Sequence, residues 1–495
     1  MSVIVVGLGA WERAELLGRI ARLEDENAAL GGERERLEAE AQRLERERER
    51  LRADNDRLRE TNERLRGEIE ALRRAAKRQA APFSKGDPKP EPKRAGRRSG
   101  AAYGARAHRR PPERADRVLR VELPGCCPGC GGELLVERVA VQHVEDLPDP
   151  APLTTRFEVQ IGRCAACGRR VQPRHPEQVS DGLGAAGAQV GPRAVALAAW
   201  LSKGLGVSAG KLAGLLGQLG IGVTPGGVTQ AVARAGRRAQ PTYQALIAGV
   251  RASPVVAPDE TGWRVGGHRA WLWAFVGDQL TVYRVAAGRG YADAAQVLGD
   301  DYDGVLERDG WAPYRRFVLA RHQSCLAHLL RRCRELVADA DRGQARTPHA
   351  VRRILQRALE LRDAHDAGIV DAATLAVEAD RLDAQIGTLI AGATRYPPNR
   401  RLLAHLDRER EHLFTFLRVP GVQATNWRAE QAIRPAVVTR KNWGGNRTRA
   451  GADTWEALTS VLRTAAQQTR DPVKLLTDLL RAPAPIVADL AIPGR

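Results

Sequence analysis

Nine leucines spaced seven residues apart constrain the N-terminal part of the chain more than any other sequence feature. The repeat runs without interruption from Leu16 to Leu72. A helix that under-winds to about 3.5 residues per turn places all of them on one face, the seam of a coiled coil. We therefore predict a leucine-zipper coiled coil over residues 11–78. The alternative is a single solvated helix with a coincidental repeat.

The second core position of these heptads indicates how the helices pair. Four residues after a leucine, three of the heptads carry Asn27, Asn55 and Asn62. Asparagine at this position lowers stability but pairs best with itself in a parallel, in-register dimer. The zipper is accordingly predicted to form a homodimer.

The charge of the chain points to a polyanionic partner. Its 495 residues include 78 Lys and Arg against 59 Asp and Glu, a net charge of +19. Such a surplus is typical of proteins that bind nucleic acid. No apolar run approaches the ~18 residues of a membrane span. The seven cysteines include two Cys-X-X-Cys pairs, which favour a metal in a reducing compartment over disulfides. Membrane and secreted classes are disfavoured, and we expect a cytoplasmic protein.

Residues 79–117 have the composition of a basic, flexible linker. Pro, Gly, Lys and Arg dominate, and residues that could form a core are scarce. Between Lys85 and Arg120, twelve basic and four acidic residues leave a net charge of +8. The segment is either a solubilising tether or an arm that contacts phosphates without reading sequence.

The two Cys-X-X-Cys pairs predict a zinc-binding ribbon over residues 118–178. Four thiolates favour Zn²⁺, and a site closed by four protein ligands is structural. The apolar segments Leu134–Val139 and Phe157–Ile161 are the expected strands of the ribbon. Cys126 adjoins the first pair and could replace its first member as a ligand. The predicted ligands are Cys127, Cys130, Cys164 and Cys167.

Residues 179–245 alternate helix signals with short breaks and predict a DNA-binding region of the helix-turn-helix type. Three short helices are expected, the third opening at Thr224 and ending in Arg234, Arg237 and Arg238. A basic last helix suits insertion into the major groove. A helical connector without DNA contacts is the alternative.

Two aspartates at strand ends carry the first part of the catalytic prediction. A short apolar run ends on Asp259 and opens a three-stranded meander, and a fourth apolar strand ends on Asp309. In an RNase H-like sheet these two strands are neighbours, so both carboxylates would converge on one point. Two carboxylates so close repel each other unless cations separate them. A pair of Mg²⁺ ions, with Mn²⁺ as the alternative, is the usual solution.

A third carboxylate is expected from a helix after the sheet. Within residues 426–434, Asn426, Glu430 and Arg434 lie four residues apart on one helical face. An amide and a guanidinium, one turn either side of a carboxylate, suit a phosphodiester. Taken singly, each of these acidic residues could be an ordinary surface charge. Lys441 follows and is predicted to contact the DNA backbone.

The catalytic domain is predicted over residues 246–480, with a C-terminal tail at 481–495. After the second aspartate, a strand is expected at Phe317–Ala320 and a helix beginning near Leu326. About 120 residues separate the second aspartate from the glutamate, which is longer than a loop. Their helical pattern predicts an α-helical insertion at about 340–415.

A Cys-X-X-His with a nearby histidine precedes this insertion, at His322, Cys325 and His328. The spacing allows a metal site. The preferred interpretation is that these side chains pack and position the helix that carries Arg331 and Arg332 beside the phosphates.

Six motifs in this region are specific in order and spacing. They are PDETGW at 258–263, WLW at 271–273, RDGWAPY at 308–314, HQSCLAHLLRR at 322–332, TNWRAEQAIRP at 425–435 and RKNWGG at 440–445. From Ala80 to its end, the chain resembles the transposases of the insertion-sequence 66 family, and its leucine repeat matches the zipper region that they carry. The resemblance implies DDE-type transposition, in which hydrolysis at the element ends is followed by attack of the freed 3′-OH on target DNA.

The resemblance places the acidic triad of the family on Asp259, Asp309 and Glu430. It implies a multidomain α/β protein whose RNase H-like core is interrupted by a helical insertion. It also implies double-stranded DNA as the partner, both terminal repeats and target, with a nucleoid-associated location. Accessory proteins encoded by the same element are further expected partners.

The chain departs from the family pattern beside the glutamate. Members commonly carry two asparagines and, three residues after the second, Glu-Arg. Here Trp427 replaces the second asparagine and Gln431 replaces the arginine. Two alternatives to an active transposase therefore stay open: a catalytically impaired DNA-binding derivative, and a stand-alone RNase H-like nuclease.

Overall fold

The chain forms two compact units, Met1–His143 and Val144–Arg495. The computed structural model describes residues 9–78, 112–145, 151–175, 177–178, 188–340 and 343–494. Most of the predicted linker (79–111) and the start of the predicted helix-turn-helix region (179–187) lie outside the described residues.

The first unit is built on one long helix, α1 (Ala10–Arg78). It spans the leucine repeat, so the predicted helix is confirmed, while its pairing with a second copy stays a prediction. Eight leucines of the repeat, from Leu16 to Leu65, have described side chains, and these are 43–63% exposed. A lone helix cannot bury such a row of leucines, which favours a partner.

Beyond this helix, residues 112–143 are irregular, with no helix or strand and with a turn only at 128–130. The strand predicted at Leu134–Val139 is therefore wrong. Most of its side chains are exposed, and among the residues that the structure describes no neighbouring strand supplies the hydrogen bonds that a strand needs.

The second unit begins with a small hairpin around the second cysteine pair. Strands β1 (Gly162–Arg163) and β2 (Arg170–Val171) pair antiparallel. The ribbon strand predicted at Phe157–Ile161 is wrong, because pairing starts only at the next residue.

Three helices follow, and the third is much longer than predicted. Ser208 and Thr224 cap the second and third helices with their side chains. The third does not end at Arg238, because apolar side chains continue at helical spacing from Tyr243 to Val250 and bury it in the core. The helices are α2 (Pro192–Ala199), extended by a π-helical turn at Trp200–Gly204, α3 (Ala209–Gln218) and α4 (Pro225–Arg251).

A five-stranded mixed sheet lies at the centre of this unit. Its strand order is β5-β4-β3-β6-β7. The first three in sequence form an antiparallel meander, and the last two run parallel to β3. β3 and β6 are therefore neighbours, as the catalytic prediction requires. The strands are β3 (Val255–Val265), β4 (His268–Val276), β5 (Thr281–Ala286), β6 (Val305–Arg308) and β7 (Arg321–Ser324).

The last strand lies four residues later than the apolar pattern predicts. The prediction of a strand at Phe317–Ala320 is wrong, because a 3₁₀ turn occupies Ala312–Arg316 and the connection continues to the strand at Arg321. Phe317 is fully buried. The apolar character of this segment therefore reflects core packing by a connection.

Helices cover both faces of the sheet. One face packs through Trp273 and Phe275 against α2–α5 and α12–α13, and the other packs through Leu272 and Ala274 against α11 and the start of α12. The helices are α5 (Tyr291–Leu298), α6 (Leu326–Ala338), α7 (Arg346–Asp366), α8 (Ala372–Ala391), α9 (Pro397–Glu409), α10 (Thr415–Arg418), α11 (Trp427–Trp443), α12 (Arg449–Gln467) and α13 (Pro472–Arg481).

Helices α7, α8 and α9 pack with α6 in an apolar cluster of their own, which reaches the sheet at Val305. They lie between β7 and α11 in sequence, where the helical insertion was expected. Within the part of the chain that the structure describes, no helix combines the length and apolar character needed to cross a membrane.

Candidate active site

Three carboxylates approach one another from three different elements. Asp309 directly follows β6, Asp259 lies in the adjacent strand β3, and Glu430 lies in the first turn of α11. Asp259 does not end its strand as predicted, because β3 continues past it to Val265 in a hairpin with β4. The charges of Asp309 and Glu430 both act on Asp259 and raise its pKa. The three side chains therefore share one electrostatic environment.

Asp259 is unusually difficult to ionise. Its pKa is raised to about 7, mainly by burial, then by the negative charge of Glu260, with further contributions from Asp309 and Glu430. A nearby cation stabilises the ionised form of such a carboxylate more than it stabilises that of an exposed one. The site consequently favours binding of positive charge.

The donor set fits Mg²⁺. Carboxylates supply hard oxygen ligands, and Mg²⁺ is commonly held by one or two of them while water and substrate phosphate fill its other positions. Among the described residues, no three His, Cys, Asp or Glu side chains form a ready-made group for an ion. An ion here would therefore depend on water and phosphate oxygens for much of its coordination.

A buried arginine fixes the backbone at Asp309. Arg308 Nη1 donates to the Asp309 carbonyl oxygen at 3.1 Å and to Glu409 Oε2 at 2.7 Å. Arg308 Nε donates to His322 Nδ1 at 3.1 Å. The Asp309 carboxylate in turn accepts from the Trp311 backbone N–H at 2.9 Å. Both the main chain and the side chain of this aspartate are held in place.

Glu409 is the centre of this buried network. It also accepts hydrogen bonds from Arg315 Nε at 3.0 Å and from Ser324 Oγ at 2.5 Å. Burial alone would raise the pKa of Glu409, but Arg308, Ser324 and Arg315 outweigh it and hold the pKa below its ordinary value. Arg308 and Glu409 were not predicted as parts of the site, since they are 101 residues apart in sequence.

His328 and Cys325 lie on the Glu430 side of the site. His328 Nε2 is 3.7 Å from Glu430 Oε1. Its contact with Cys325 raises the pKa of His328, and the charges of Glu430 and Asp309 add to this. His322, the third member of the motif, is engaged by Arg308. The role of these three side chains in positioning the helix of Arg331 and Arg332 stays a prediction.

Asn426 is buried and joins the three parts of the site. It is 1% exposed, although it was predicted to contact DNA. Its Nδ2 donates to the carbonyl oxygen of Pro258, and its backbone N–H donates to Cys325 Sγ, at 3.1 and 3.4 Å. Because Pro258 precedes Asp259, Asn426 ties the start of α11 to β3 and to the start of α6.

The other predicted DNA contacts lie mostly at the surface. Arg332 is half-buried. Arg434 lies one turn after Glu430, so positive charge continues from the carboxylate along the exposed face of α11. The exposed residues are Arg234 and Arg237 on α4, Arg331 on α6, and Arg434 and Lys441 on α11.

The two departures from the family pattern are exposed on the same helix. Trp427 is 53% exposed, and Gln431 is also at the surface. In the described part of the chain, neither side chain is a hydrogen-bond partner of Asp259, Asp309 or Glu430. The carboxylates do not depend on either residue for their contacts.

Each Cys-X-X-Cys pair forms a tight turn in its own unit. The carbonyl oxygen of Cys127 accepts from Gly131 N–H at 2.8 Å, and that of Cys164 accepts from Gly168 N–H at 2.9 Å. Gly131 and Gly168 have φ of 76° and 71°, a region that favours glycine. Backbone hydrogen bonds lower the pKa of Cys127 and of Cys164, which favours the metal-binding thiolate.

Comparisons with known proteins show the family of this chain. The family described as "Transposase IS66 family" matches residues 187–454, more than half of the chain and all three carboxylates. A relative from Sinorhizobium fredii (strain NBRC 101917 / NGR234), named "Uncharacterized protein y4qI", is 25% identical over 243 residues. That match covers 43% of this chain and 43% of the relative, so it spans less than half of the relative's length. On the extent of the family match, this chain belongs to the IS66 family of transposases.

Proposed function

We propose that this protein is a DDE-type DNA transposase that cleaves the ends of its element and joins the freed 3′-OH to target DNA. The observation that carries the proposal is geometric: Asp259 lies in β3, Asp309 directly follows the adjacent parallel strand β6, and Glu430 of α11 is close enough for its charge to act on Asp259. Carboxylates brought together from two neighbouring strands and a helix are what a phosphoryl-transfer site with divalent cations requires.

Asp259, Asp309 and Glu430 would hold two Mg²⁺ ions, with Mn²⁺ as the alternative. Bound ions would activate the attacking oxygen and stabilise the leaving oxygen. Arg308 and Trp311 orient Asp309, and Asn426 holds the start of α11, and with it Glu430, against β3. The role of Asn426 is thus positioning rather than DNA contact.

Contacts to the DNA backbone are proposed for the exposed cations around the site. Arg434 and Lys441 extend along the helix of Glu430, with Arg331 and Arg332 on α6. Such contacts set the register of a duplex and do not read its sequence. Reading of the terminal repeats is proposed for the region of α2–α4, through Arg234 and Arg237.

The N-terminal parts have structural roles in this proposal. The exposed leucine row of α1 forms a parallel homodimer, and the four cysteines bind a structural Zn²⁺ ion. The protein acts in the cytoplasm on nucleoid DNA, with accessory proteins of the same element as further partners.

Strand cleavage and joining of a labelled duplex carrying the element's own end test this function. We expect a nicked product with a 3′-OH and a joined product, both dependent on Mg²⁺ and both absent with Glu430→Gln. Glu411→Gln, an exposed change of the same kind, serves as the control. Nicking without joining would favour the stand-alone nuclease. Binding without nicking would favour the impaired derivative.

A further inference from the structure

Four side chains of the catalytic domain form a stack in which arginine and tryptophan alternate. The Arg289 guanidinium lies 4.0 Å from the Trp311 ring centroid and 4.9 Å from that of Trp271. The Arg269 guanidinium lies 5.2 Å from the Trp271 centroid. Contacts of this kind hold a guanidinium over an aromatic face. We call Arg269, Trp271, Arg289 and Trp311 the Arg–Trp stack.

The inner end of the Arg–Trp stack touches the candidate active site. The Trp311 backbone N–H donates to the Asp309 carboxylate at 2.9 Å. Arg289 Nε donates at 2.7 Å to Glu260, the neighbour of Asp259 in β3. The stack therefore begins where the carboxylates are.

The outer end of the stack lies toward the turn between β3 and β4. Trp271 and Arg269 are two residues apart on β4 and so project from the same face of the sheet. Arg269 is exposed near the start of this strand. The stack thus leads from the catalytic carboxylates to the surface of the hairpin.

The stacked arginines keep hydrogen-bonding capacity. Arg289 uses Nε for Glu260, and its side chain remains 32% exposed. Within the described residues, neither Nη of Arg289 nor any side-chain nitrogen of Arg269 has a hydrogen-bond partner. A guanidinium stacked on an indole face presents its N–H groups outward at the edge, in the fork that matches a phosphate. The rings thereby fix two phosphate-binding groups in advance.

We propose that the Arg–Trp stack binds phosphates of the DNA strand that leaves the active site along β4. This inference rests on the proposed function, because it assigns a path to the DNA substrate of the same carboxylates. Two cations beside a phosphodiester site favour binding of the negatively charged backbone of a nucleic acid. The tryptophans contribute by holding the planes of the two guanidinium groups in place. The path is separate from the cations on α11, so two surfaces of the domain contact DNA.

Salt titration of DNA binding in a buffer free of Mg²⁺ and Mn²⁺ tests the proposal without catalysis. The probes are a fluorescent duplex carrying the element's own end and a single-stranded thymidine oligomer. Loss of one phosphate contact lowers the slope of log K against log salt by about 0.9 for duplex and about 0.7 for single strand. We expect Arg269→Gln to show this loss and to weaken binding by up to about tenfold at low salt. Arg269→Lys should keep the slope but bind more weakly than wild type, because an ammonium lacks the planar fork.

Arg481→Gln removes the same charge from an exposed position in the last turn of α13 and is the matched control. A second variant, Arg289→Gln with Glu260→Gln, removes the inner cation without leaving a buried carboxylate unpaired, and should lower the slope likewise. The proposal would be overturned if Arg269→Gln and the double variant showed the same slope of log K against log salt as Arg481→Gln. Failure of the wild type to bind either probe would instead overturn the proposed function.

Discussion

Arg308 and Glu409 form an ion pair of 2.7 Å in which neither side chain has any exposed surface. Arg308 ends β6 and precedes Asp309, whereas Glu409 ends α9 of the helical insertion. The pair therefore fastens the insertion to the strand that Asp309 directly follows. Breaking a buried pair by removing one partner leaves an uncompensated charge, which is strongly unfavourable.

Glu409→Gln is expected to destabilise the second unit by about 3 kcal/mol, because the buried Arg308 guanidinium loses its counter-charge. Urea denaturation, monitored by tryptophan fluorescence, measures this change in the free energy of unfolding. Glu411→Gln, two residues later and exposed, should change stability by less than about 0.5 kcal/mol. Equal stability of the two variants would show that the ion pair does not hold the insertion to β6.

The raised pKa of Asp259 predicts a pH-dependent stability in the absence of divalent metal. The pKa is about 7 in the folded protein against an ordinary value of 3.8, so the folded state binds this proton more tightly. The resulting stabilisation is complete below about pH 4 and is lost as the pH rises through about 7. At about pH 8, Asp259→Asn should exceed the wild type in stability by about 1–2 kcal/mol, with allowance for its partial exposure.

Near pH 4 this difference in stability should vanish, since the wild-type carboxyl is then protonated and is as uncharged as the amide of the variant. Urea denaturation in a buffer free of Mg²⁺ and Mn²⁺ at the two pH values measures both differences. The exposed change Asp303→Asn should show no such pH dependence. A wild type that gains stability relative to Asp259→Asn as the pH rises would contradict the assigned pKa.

The cysteine turns predict one zinc ion per chain. Cys127→Ser and Cys164→Ser should each lose the ion, because a thiolate ligand is removed, while Cys126→Ser should retain it. Elemental analysis of the purified protein measures the stoichiometry. If Cys126→Ser lost the zinc ion and Cys127→Ser kept it, Cys126 would be the ligand in place of Cys127. Wild-type protein free of zinc after metal-replete expression would refute the site.

The exposed leucine row of α1 predicts dimerisation through this helix. Leu44→Asp places a charge in the seam and should weaken the dimer by several kcal/mol or dissociate it. Gln42→Asp adds the same charge away from the seam and should leave the dimer intact. Sedimentation at several concentrations distinguishes the two. A dimer unaffected by Leu44→Asp would assign assembly to another surface.

Local periodicity predicted much of the fold. The heptad repeat gave the extent of α1, Leu326 was correctly predicted as the start of α6, and the meander of β3–β5 followed from alternating strands and turns. The proximity of Asp259 and Asp309 followed from strand adjacency. Each of these features depends on neighbours in sequence or on a simple rule of sheet topology.

Features set by tertiary packing could not be predicted in this way. Nothing near Arg308 in sequence indicates Glu409 as its partner, and the burial of Asn426 depends on a contact with Pro258 that only the folded chain brings about. Phe317 belongs to a buried connection, so its apolar segment was mistaken for a strand. The Arg–Trp stack likewise joins three separate segments.

Transposition in cells tests whether this chain is an active transposase that uses Asp259, Asp309 and Glu430. Cells receive a marked element with its own ends, together with any neighbouring reading frames of that element. They also express one form of the protein: the wild type, Glu430→Gln, Trp427→Asn or the control Glu411→Gln. We predict transposition by the wild type and by Glu411→Gln, and a loss of at least about 10³-fold with Glu430→Gln, since several kcal/mol of transition-state stabilisation disappear. Undiminished transposition by Glu430→Gln, or a wild type that is inactive until Trp427→Asn restores it, would contradict an active transposase with this triad.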